Sequence, residues 1–332
     1  MIDSTTKPVP KIVDSAAPGL EKGRKWKPSS YVLMTAAHNE EADIANTIES
    51  VLAQTVLPRR WLIVSDNSTD RTNEIVQSYA DKHDFIRFQV VTRPPGHSFA
   101  AKVVALRSGA HLLQDVSHDF IGNMDADLTV SPTYFEDLMR EFEINPRLGL
   151  AGGFVYEEVN GQFVTRGANR TSSVAHAAQL VRRECYESFG GYAVLQYGGE
   201  DWHAQMSVRM MGWDAESIPQ LKIYHHRPTG AASGKLRSNY RLGKLDYSFG
   251  TYPIFEAIKC AIRLPHKPFL IGSIVRMAGF LDSFIRREPF LIPPELASFL
   301  RKEQKDRMLA YIGRPASRPK GQAAAESNSH LT

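Results

Sequence analysis

The sequence predicts an α/β protein in which a largely parallel sheet is flanked by helices and followed by a helical extension. Two observations carry this prediction. Over residues 31–127, short apolar runs alternate with segments of helical period, which indicates βαβ repetition and a largely parallel sheet. From residue 228 onward, apolar segments of helical period are divided by prolines, which favours several short helices.

Four apolar runs are the expected strands of the first half, because strands buried on both faces read as unbroken hydrophobic stretches. In chain order they are YVLMTAA, WLIVS, FIRFQVV and DFIGNM. Helices are expected between them, for example over 71–81 after the capping pair Thr69 and Asp70. The second half predicts a helix at 132–144, a strand LGLAGGFVY, a helix at 201–211 and a strand at 221–224.

Charge is distributed unevenly along a chain whose net charge is only +4. Residues 1–226 carry 22 basic and 28 acidic side chains, whereas residues 227–320 carry 18 basic and 7 acidic ones. This asymmetry predicts an acidic site in the front part and an anionic partner for the back part. Nucleic acid is not the expected partner, because no recognised nucleic-acid-binding motif accompanies the charge.

Cysteine content and hydropathy point to a cytoplasmic protein. Cys185 and Cys260 are too few for a disulfide framework, and the first thirty residues lack the apolar segment of a signal peptide. No stretch reaches 18 uninterrupted apolar residues, so a helix that spans a membrane is not expected.

Polar side chains follow three of the predicted strands. His38 and Glu40 follow the first strand, Asp66 ends the second, and Asp125 and Asp127 follow the fourth. Ligands of open α/β sheets bind at the carboxyl ends of strands, and paired carboxylates there suit a divalent cation and the phosphates it bridges. The alternative is that these residues only cap helices and turns.

Further candidates come from later in the chain and from the third helix. Glu200 and Asp201 follow a Gly-Gly pair at the start of a predicted helix, so they are either partners of the helix dipole or include a general base, Asp201. His225 and His226 end the last strand as metal ligands or as surface residues. Lys102, near the start of the third helix, meets a phosphate there or is simply solvated.

Seven segments occur in an order that is typical of one enzyme family. TAAHNEEADIANTIESVLAQ, VSDNSTDRT, AKVVALRSG and NMDADL resemble its Asn-Glu-Glu opening, its Asp-rich second-strand segment, its Lys-rich helix and its Asp-x-Asp element. FGGY, GGEDWHAQMSVRMMGW and IYHHR resemble its Gly-Gly-Phe, Glu-Asp and closing His elements. Over residues 31–227 the chain therefore resembles glycosyltransferase family 2, whose members have the GT-A fold.

The resemblance implies transfer of a sugar from a nucleoside-diphosphate sugar with inversion at the anomeric carbon. In that scheme Asp66 hydrogen-bonds the base, His38 and Glu40 line the nucleotide, and Asp125 faces the ribose or the sugar. The remaining candidates for the donor site are Lys102 and Glu200.

The same resemblance implies a metal and a base. Asp127, together with His225 or His226, would hold Mg²⁺ or Mn²⁺ across the diphosphate. Asp201 would remove the proton of the acceptor hydroxyl as its oxygen attacks the anomeric carbon.

Departures from the family pattern leave the donor open. Ala36 stands where the family has proline, His38 where it has tyrosine, Ser65 where it has the first aspartate of a pair, and Arg107 where it has asparagine. The Gln-x-x-Arg-Trp motif of processive relatives is absent after His226, which favours addition of a single sugar over polymerisation.

The resemblance also sets the expected domain organisation. We expect a catalytic GT-A domain between two disordered tails, with a basic, amphipathic extension after it. The boundaries are a tail at 1–29, the catalytic domain at 30–227 with a nucleotide-sugar half at 30–127 and an acceptor half at 128–227, the extension at 228–313 and a tail at 314–332.

Residues 268–287 predict an amphipathic helix in the extension. Such a helix packs on its own domain or lies on an anionic leaflet, and a set of nearby basic residues favours the leaflet, namely Lys259, Arg263, Lys267, Arg286 and Arg287. Because many family members use polyprenyl-linked acceptors, we expect a lipid-linked glycan acceptor in surface polysaccharide synthesis, and peripheral attachment to the cytoplasmic face of the membrane.

Two other functions compete with this one. A nucleotidyl or phosphoryl transferase would share the metal and the nucleotide, but it would need a Gly-rich phosphate loop, and none follows the first strand. A non-catalytic, nucleotide-binding membrane scaffold is disfavoured by the presence of Asp66, Asp127 and Asp201.

Overall fold

A computed structural model describes residues 28–92, 100–227, 234–265 and 269–312 of the chain. The tails expected at 1–29 and 314–332 lie outside these residues, except for positions 28 and 29. The first residues of the expected extension, 228–233, and Lys267 also lie outside them.

The first half of the chain forms the parallel part of the sheet, as predicted. Its strands run in the order β3, β2, β1, β4, and each pairs in parallel with its neighbour. They are β1 (Tyr31–Ala37), β2 (Arg60–Asp66), β3 (Ile86–Val91) and β4 (Phe120–Met124). The helices that follow the first three strands are α1 (Ile44–Leu52), α2 (Thr72–Ala80) and α3 (Ala101–Gly109), the last continued by a 3₁₀ turn (Ala110–Leu113).

The second half makes the sheet mixed. Strand β8 runs antiparallel to both β4 and β6 and so joins the two halves, which gives the order β3-β2-β1-β4-β8-β6-β9-β5 with β7 paired to β6. The elements are β5 (Leu128–Val130), α4 (Tyr134–Ile144), β6 (Leu148–Val159), β7 (Gln162–Thr165), β8 (Ala178–Arg182), α5 (Arg183–Ser188), α6 (Glu200–Met210) and β9 (Asp214–His225).

Strand β9 is longer than the segment 221–224 that the sequence predicts. Its first part pairs with β6 up to Ile218, which lies opposite Gly153. The next residue of β6, Phe154, lies opposite Lys222, so the register of the pairing shifts between these two positions. Pro219 and the exposed Gln220 lie in this irregularity, where a proline is tolerated because no ladder hydrogen bond is needed. Because the first part of β9 is polar and contains a proline, it has no apolar run that would predict a strand.

Alternation along the strands divides the core between the two faces of the sheet. Tyr31 and Leu33 of β1 pack in a cluster with residues of α1, α2 and α4. Val32 and Met34 pack on the opposite face with residues of α3 and α6. Both faces are therefore covered, which explains why the strands read as continuous apolar runs.

The extension consists of four helices that pack on the catalytic domain. They are α7 (Lys235–Ser248), α8 (Pro253–Arg263), α9 (Ile271–Ile285) and α10 (Pro294–Ile312), and prolines open α8 and α10, where a missing N–H costs nothing. A third apolar cluster joins Met206 of α6 to Leu245 of α7, to Phe249 directly after α7 and to Leu296 of α10.

Helices α7 and α9 cross at very short range through two glycines. A Cβ atom at Gly243 would lie 1.9 Å from the carbonyl oxygen of Arg276, and one at Gly279 would lie 2.0 Å from that of Tyr240. Any larger residue would push the two helices apart, so this crossing fixes the position of α9 against α7.

Helix α9 is amphipathic, as predicted, but its polar side faces the protein. Arg276 is buried and donates to Asp246, with its Nη2 2.5 Å from Oδ2. Lys259 of α8, which the sequence assigned to an anionic leaflet, is also buried and lies 2.6 Å from Asp246 and 3.0 Å from Glu256. Lys259 is therefore not available to lipid, because two acids already neutralise it. None of the helices within the described ranges combines the length and the apolar composition needed to cross a bilayer.

Candidate active site

The carboxyl ends of three parallel strands meet at one edge of the sheet. Strand β1 pairs with β2 on one side and with β4 on the other, so the residues that follow Ala37, Asp66 and Met124 are brought together. The structure thus places His38, Glu40 and the Asp125-Ala126-Asp127 segment at one edge, as the sequence predicted.

Asparagines shape the loops after β1 and β2. Asn39 and Asn67 both have φ of +54°, a left-handed conformation that asparagine tolerates better than most residues. The side-chain oxygen of Asn39 accepts a hydrogen bond from the backbone N–H of Thr69 at 2.8 Å, which ties the two loops together. Asp70 accepts hydrogen bonds from the backbone N–H groups of Thr72 and Glu41, so it caps the start of α2 as expected.

The nucleotide side of the edge holds His38 and Asp66. The imidazole Nδ1 of His38 lies 2.5 Å from the backbone oxygen of Asp66, so the ring is fixed across the ends of β1 and β2. Asp66 is buried at the end of its strand, whereas His38 is exposed. The pair leaves an imidazole face open at the mouth of the edge.

Four residues form what we call the Asp127 cluster: Glu40, Asp127, His225 and Arg227. The Oδ2 atom of Asp127 lies 3.0 Å from Nε2 of His225 and accepts hydrogen bonds from Nε and Nη2 of Arg227 at 3.0 and 2.8 Å. Nη2 of Arg227 also donates to Oε1 of Glu40 at 2.6 Å. One carboxylate oxygen thus faces three nitrogen atoms of basic side chains.

These contacts set the ionisation of the cluster. Burial alone would raise the pKa of Asp127, but hydrogen bonds and charge from His225 and Arg227 outweigh it and hold the pKa at about 2. Burial likewise would lower the pKa of His225, yet the Asp127 carboxylate raises it. Burial and the charge of Asp127 raise the pKa of Glu40 to about 7 despite Arg227. Oε2 of Glu40 is buried without a hydrogen-bond partner among the described residues.

His226 contacts residues outside this cluster. Its Nε2 atom is 3.0 Å from Oγ1 of Thr129, and its ring meets Phe163 edge to face at 5.5 Å. His225 is the last residue of β9 and His226 follows it, and the hydrogen-bonding contact of the His226 ring is with Thr129 rather than with Asp127. The structure brings Asp127 together with His225 and leaves His226 apart.

The chemistry of the pair Asp127 and His225 fits a divalent cation. Within the described residues no group of three metal-ligating side chains is found, so the protein would supply two ligands and a bound diphosphate the rest. Mg²⁺ is commonly held in this way, through one or two protein ligands and substrate phosphates. The three basic contacts on Asp127 already show that its carboxylate attracts positive charge. A cation bound there would compete with Arg227.

Five residues form what we call the Asp201 cluster: Lys102, Asp125, His176, Glu200 and Asp201. Nζ of Lys102 donates to Oδ1 of Asp125 and, at 2.8 Å, to the backbone oxygen of His176. Nδ1 of His176 lies 3.6 Å from Oε1 of Glu200. The cluster adjoins the Asp127 cluster, because the charge of Asp125 acts on His225.

The two adjacent acids of this cluster ionise differently. Burial alone would raise the pKa of Glu200, but His176 and the charge of Lys102 outweigh it and hold the pKa at about 2. Burial, and next the charge of Glu200, raise the pKa of Asp201. The dipole of a helix stabilises an ionised carboxylate at the helix start. The raised pKa of Asp201 at this position therefore favours a functional role over a role as a partner of the dipole.

Gly198 and Gly199 place Asp201. Both have positive φ, +78° and +91°, and Gly199 caps α6 in the left-handed conformation. Oδ1 of Asp201 accepts from the N–H of Trp202 at 2.7 Å. A Cβ at Gly199 would lie 2.9 Å from Cδ1 of Leu245, so the turn that carries Asp201 packs directly on α7 of the extension.

Sequence reasoning missed Arg227 and His176. Arg227 is 100 residues from Asp127 in the chain, and the only signal was its place in the segment IYHHR next to the histidines. His176 lies in a segment, ANRTSSVAHAAQL, that carries no motif. Its ring is buried against Tyr192 at 4.2 Å, and both of its nitrogens lack a hydrogen-bond partner in the described chain.

The chain is similar to known glycosyltransferases. Residues 33–194 match the family described as "Glycosyl transferase family 2". The chain is 36% identical over 115 residues to the probable glycosyltransferase YdaM of Bacillus subtilis, which covers 34% of this chain and 26% of that protein. It is 28% identical over 134 residues to the poly-beta-1,6-N-acetyl-D-glucosamine synthase of Staphylococcus epidermidis, which covers 40% of this chain and 30% of the synthase. The matched segments thus span less than a third of these relatives.

The fold also matches a solved structure. The mannosyltransferase PcManGT from Pyrobaculum calidifontis, in complex with GDP-Man and Mn²⁺, aligns with a TM-score of 0.51 and 17% identity over 92% of this chain and 81% of that one. At this identity the likeness concerns the fold, a curled mixed sheet with flanking helices. With the family match over residues 33–194, it identifies these residues as a glycosyltransferase family 2 domain with the GT-A fold, which is followed by a set of C-terminal helices.

Proposed function

We propose that the chain is a metal-dependent, inverting glycosyltransferase. It moves one sugar from a nucleoside-diphosphate sugar to an acceptor hydroxyl on a lipid-linked glycan, at the cytoplasmic face of a membrane and in the synthesis of a surface polysaccharide. The observation that carries this proposal is that two unlike clusters adjoin at one sheet edge, where the charge of Asp125 acts on His225. Asp127 is held ionised beside His225, and Asp201 nearby has a raised pKa.

Residues of the Asp127 cluster and of the Asp201 cluster bind the donor, together with His38 and Asp66. The side chain of Asp66 binds the base, His38 and Glu40 line the nucleotide, and Asp125 faces the ribose or the sugar. Lys102 and Glu200 complete the donor side, where the bond from Lys102 to Asp125 fixes the orientation of that carboxylate. PcManGT holds GDP-Man and Mn²⁺ in the same fold, which supports a sugar nucleotide as the donor here.

Asp127 and His225 are the residues that would hold Mg²⁺ or Mn²⁺. When bound, the ion supplies positive charge where the diphosphate leaves, which is where negative charge develops. Arg227 is the protein's own cation at this point, and its guanidinium lies within 3.0 Å of Asp127. It keeps the buried carboxylate of Asp127 neutralised while no donor is present.

Proton transfer falls to Asp201. The acceptor oxygen forms a bond to the anomeric carbon on the face opposite the diphosphate, and the bond from that carbon to the diphosphate oxygen breaks, so its electron pair leaves with the diphosphate. The hydroxyl proton goes to the carboxylate of Asp201. Its raised pKa suits this role, because a base works best when its pKa approaches the working pH.

A donor screen tests the proposal. Incubation with Mn²⁺ or Mg²⁺ and a panel of GDP- and UDP-sugars, including GDP-mannose, should give metal-dependent donor hydrolysis with at least one of them. We expect Asp127→Asn to lower this rate by about a thousandfold, because stabilisation of the leaving phosphate is worth several kcal/mol.

The matched control for this screen is Asp115→Asn. Asp115 also pairs with an arginine, Arg60, but it lies on the surface away from the sheet edge, so the variant should keep full activity. No hydrolysis with any donor, together with retained nucleotide binding, would favour the non-catalytic scaffold. Equal activity of the two variants would remove Asp127 from the reaction.

A further inference from the structure

Helices α8 and α9 form an antiparallel hairpin whose exposed side is entirely apolar. The N–H of Leu270 donates to the carbonyl of Leu264 at 3.1 Å where the helices meet at one end, and Pro253 shares a cavity with Phe280 and Phe284 at the other end. The exposed residues of the two helices are Pro253, Ile254, Ala257, Ala261, Ile271, Ile274, Ala278, Leu281, Phe284 and Ile285. We call this set the hairpin face.

Three of the five charged residues of the hairpin lie on the opposite side, and the other two, Arg263 and Asp282, are half-buried. Glu256, Lys259 and Arg276 are buried and neutralise one another together with Asp246 of α7. Ile254, Ile274 and Ile285 of the hairpin face are 70, 63 and 76% exposed. A helix pair in water normally has the reverse arrangement, because exposed apolar surface is unfavourable and buried charge is costly. The arrangement suits surroundings that are themselves apolar.

The hairpin face is larger than scattered exposed residues would give. Phe269 and Leu270 extend it beyond the start of α9 and are 58 and 57% exposed. A contiguous apolar surface of this extent marks an interaction site rather than ordinary solvent-facing surface.

Basic residues border one end of the hairpin face. Arg286 and Arg287 follow α9 and are exposed, and Arg287 shares with Arg301 the cavity of about 310 Å³ that lies between Pro253 and Phe290. The exposed residues of α8 and α9 include no acid. An apolar surface that ends in arginines is complementary to the apolar interior and the phosphates of a lipid leaflet.

A second copy of the chain fits the hairpin face less well. In a twofold contact each surface meets itself, so the arginines of one copy would need acids on the same face of the other. Asp282, the nearest acid of α9, already receives hydrogen bonds from Arg286 and Tyr240 at 2.7 and 2.8 Å.

Length decides between lying on a bilayer and spanning it. Helix α9 has 15 residues and α8 has 11, and at about 1.5 Å per residue neither reaches across a hydrocarbon core of about 30 Å. We propose that the hairpin face docks into the interfacial layer of a lipid bilayer, with Arg286 and Arg287 on lipid phosphates. The proposal rests on the proposed function only for the identity of the acceptor, because a lipid-linked acceptor would lie in the same layer.

The docked hairpin would be rigidly connected to the active site. Helix α7 packs on α9 through Gly243 and Gly279, and the same helix packs through Leu245 on the turn at Gly199 that carries Asp201. Docking would therefore fix the height of Asp201 above the membrane surface.

Vesicle flotation of the full chain tests the docking. We expect the protein to float with phosphatidylcholine vesicles that contain phosphatidylglycerol. Ile274→Glu combined with Leu281→Glu should lower the bound fraction at least tenfold, because charge is placed where apolar contact is expected. The matched control is Ile144→Glu, since Ile144 is also exposed, at 60%, but lies at the end of α4.

A second variant isolates the electrostatic part. Arg286→Gln with Arg287→Gln should weaken binding about tenfold on anionic vesicles and leave binding to pure phosphatidylcholine unchanged. All substituted side chains are exposed, and thermal melting of each variant checks that it is folded.

Absence of flotation by the unaltered chain, or equal flotation of the hairpin variant and the Ile144 control, would overturn the proposal. A dimer in sedimentation velocity that the Ile274 and Leu281 changes dissociate, without vesicle binding, would assign the hairpin face to a second copy instead. Donor hydrolysis in detergent-free solution is measured in parallel. Because hydrolysis does not need the hairpin face, absence of flotation by an unaltered chain that still hydrolyses the donor overturns only the docking.

Discussion

At the Asp127 cluster two carboxylates face an arginine and a histidine, whereas at the Asp201 cluster three carboxylates face the single permanent cation of Lys102. Hydrogen bonds and charge from His225 and Arg227 hold the pKa of Asp127 at about 2, whereas burial, and next the charge of Glu200, raise the pKa of Asp201. Both side chains follow loops at the same edge of one sheet, so their position in the fold does not explain the difference between their pKa values. The difference comes from the surroundings of each carboxyl group. When the surroundings of two acids give them different pKa values, the ionised acid can bind positive charge and the more basic acid can accept a proton.

The comparison also explains the place of Glu200. It is the direct neighbour of Asp201, yet it contacts His176 at 3.6 Å and has a pKa of about 2. One helix start therefore carries an acid that stays ionised and an acid that is basic. The ionised one raises the basicity of the other through its charge.

Next to the loss expected for Asp127→Asn, the largest effect is expected from removing the basic acid. Asp201→Asn should lower glycosyl transfer by about a hundredfold or more, in the range that general-base catalysis supplies, while nucleotide affinity stays nearly unchanged. The affinity is measured by calorimetric titration with the nucleoside diphosphate, and transfer by product formation from the donor found in the screen.

The control for this change is Asp137→Asn. Asp137 lies in the first turn of α4 and so has the same relation to a helix dipole, but it is outside the site. If both variants lose the same fraction of activity, Asp201 acts only on its helix. Substantial residual transfer by the Asp201 variant would exclude it as the base.

The sequence predicted the sheet edge because buried parallel strands have a strong pattern. The apolar runs of β1, β2 and β4 end at Ala37, Asp66 and Met124, and the polar residues after them fall where α/β folds place ligands. The Gly-Gly turn before Asp201 was equally visible, since glycine marks backbone that needs positive φ. The GT-A fold and the family are confirmed, and the domain boundaries stay predictions.

Side-chain direction could not be predicted. The sequence places His225 and His226 next to each other, but only the register with β5 and β6 decides which one meets Asp127. The pairing of Arg227 with Asp127 depends on a contact across 100 residues.

The extension shows the same limit. An amphipathic pattern in α9 gives two faces but not which of them is turned outward, so the burial of Arg276, and of Lys259 in the neighbouring helix α8, could not be predicted. The contact that decides it is the crossing at Gly243 and Gly279. The close approach at these glycines places the polar side of α9 against α7, where Arg276 donates a hydrogen bond to Asp246.

A smaller effect should follow from changing the balance of charge at Asp127. Arg227→Met removes the guanidinium that donates to Asp127 and Glu40, so the site should bind free Mn²⁺ about tenfold more tightly, as expected for one competing charge near a protein surface. The measurement is titration by electron paramagnetic resonance without nucleotide, which keeps any contact of Arg227 with the diphosphate out of the result.

Arg166→Met is the control for metal binding, since Arg166 lies 3.6 Å from Glu157 and does not contact Asp127. Unchanged or weaker Mn²⁺ binding by the Arg227 variant would mean that this arginine does not compete with a cation. The Asp127 cluster would then be compensated for structural reasons alone.

The smallest effect concerns the coupling between the two acids of α6. The base works in its ionised form, so the logarithm of kcat/KM should fall as the pH drops through the pKa of Asp201. Glu200→Gln removes a negative charge that raises this pKa and leaves the charge of Lys102, which lowers it, in place. The pKa of Asp201 must then decrease, and the acid limb of the profile should move to lower pH.

The control is Glu184→Gln, at the first turn of α5, which should leave the acid limb in place. A limb that stays fixed or moves to higher pH in the Glu200 variant would show that the titrating group is not Asp201, and the contrast between the two clusters would lose its catalytic meaning.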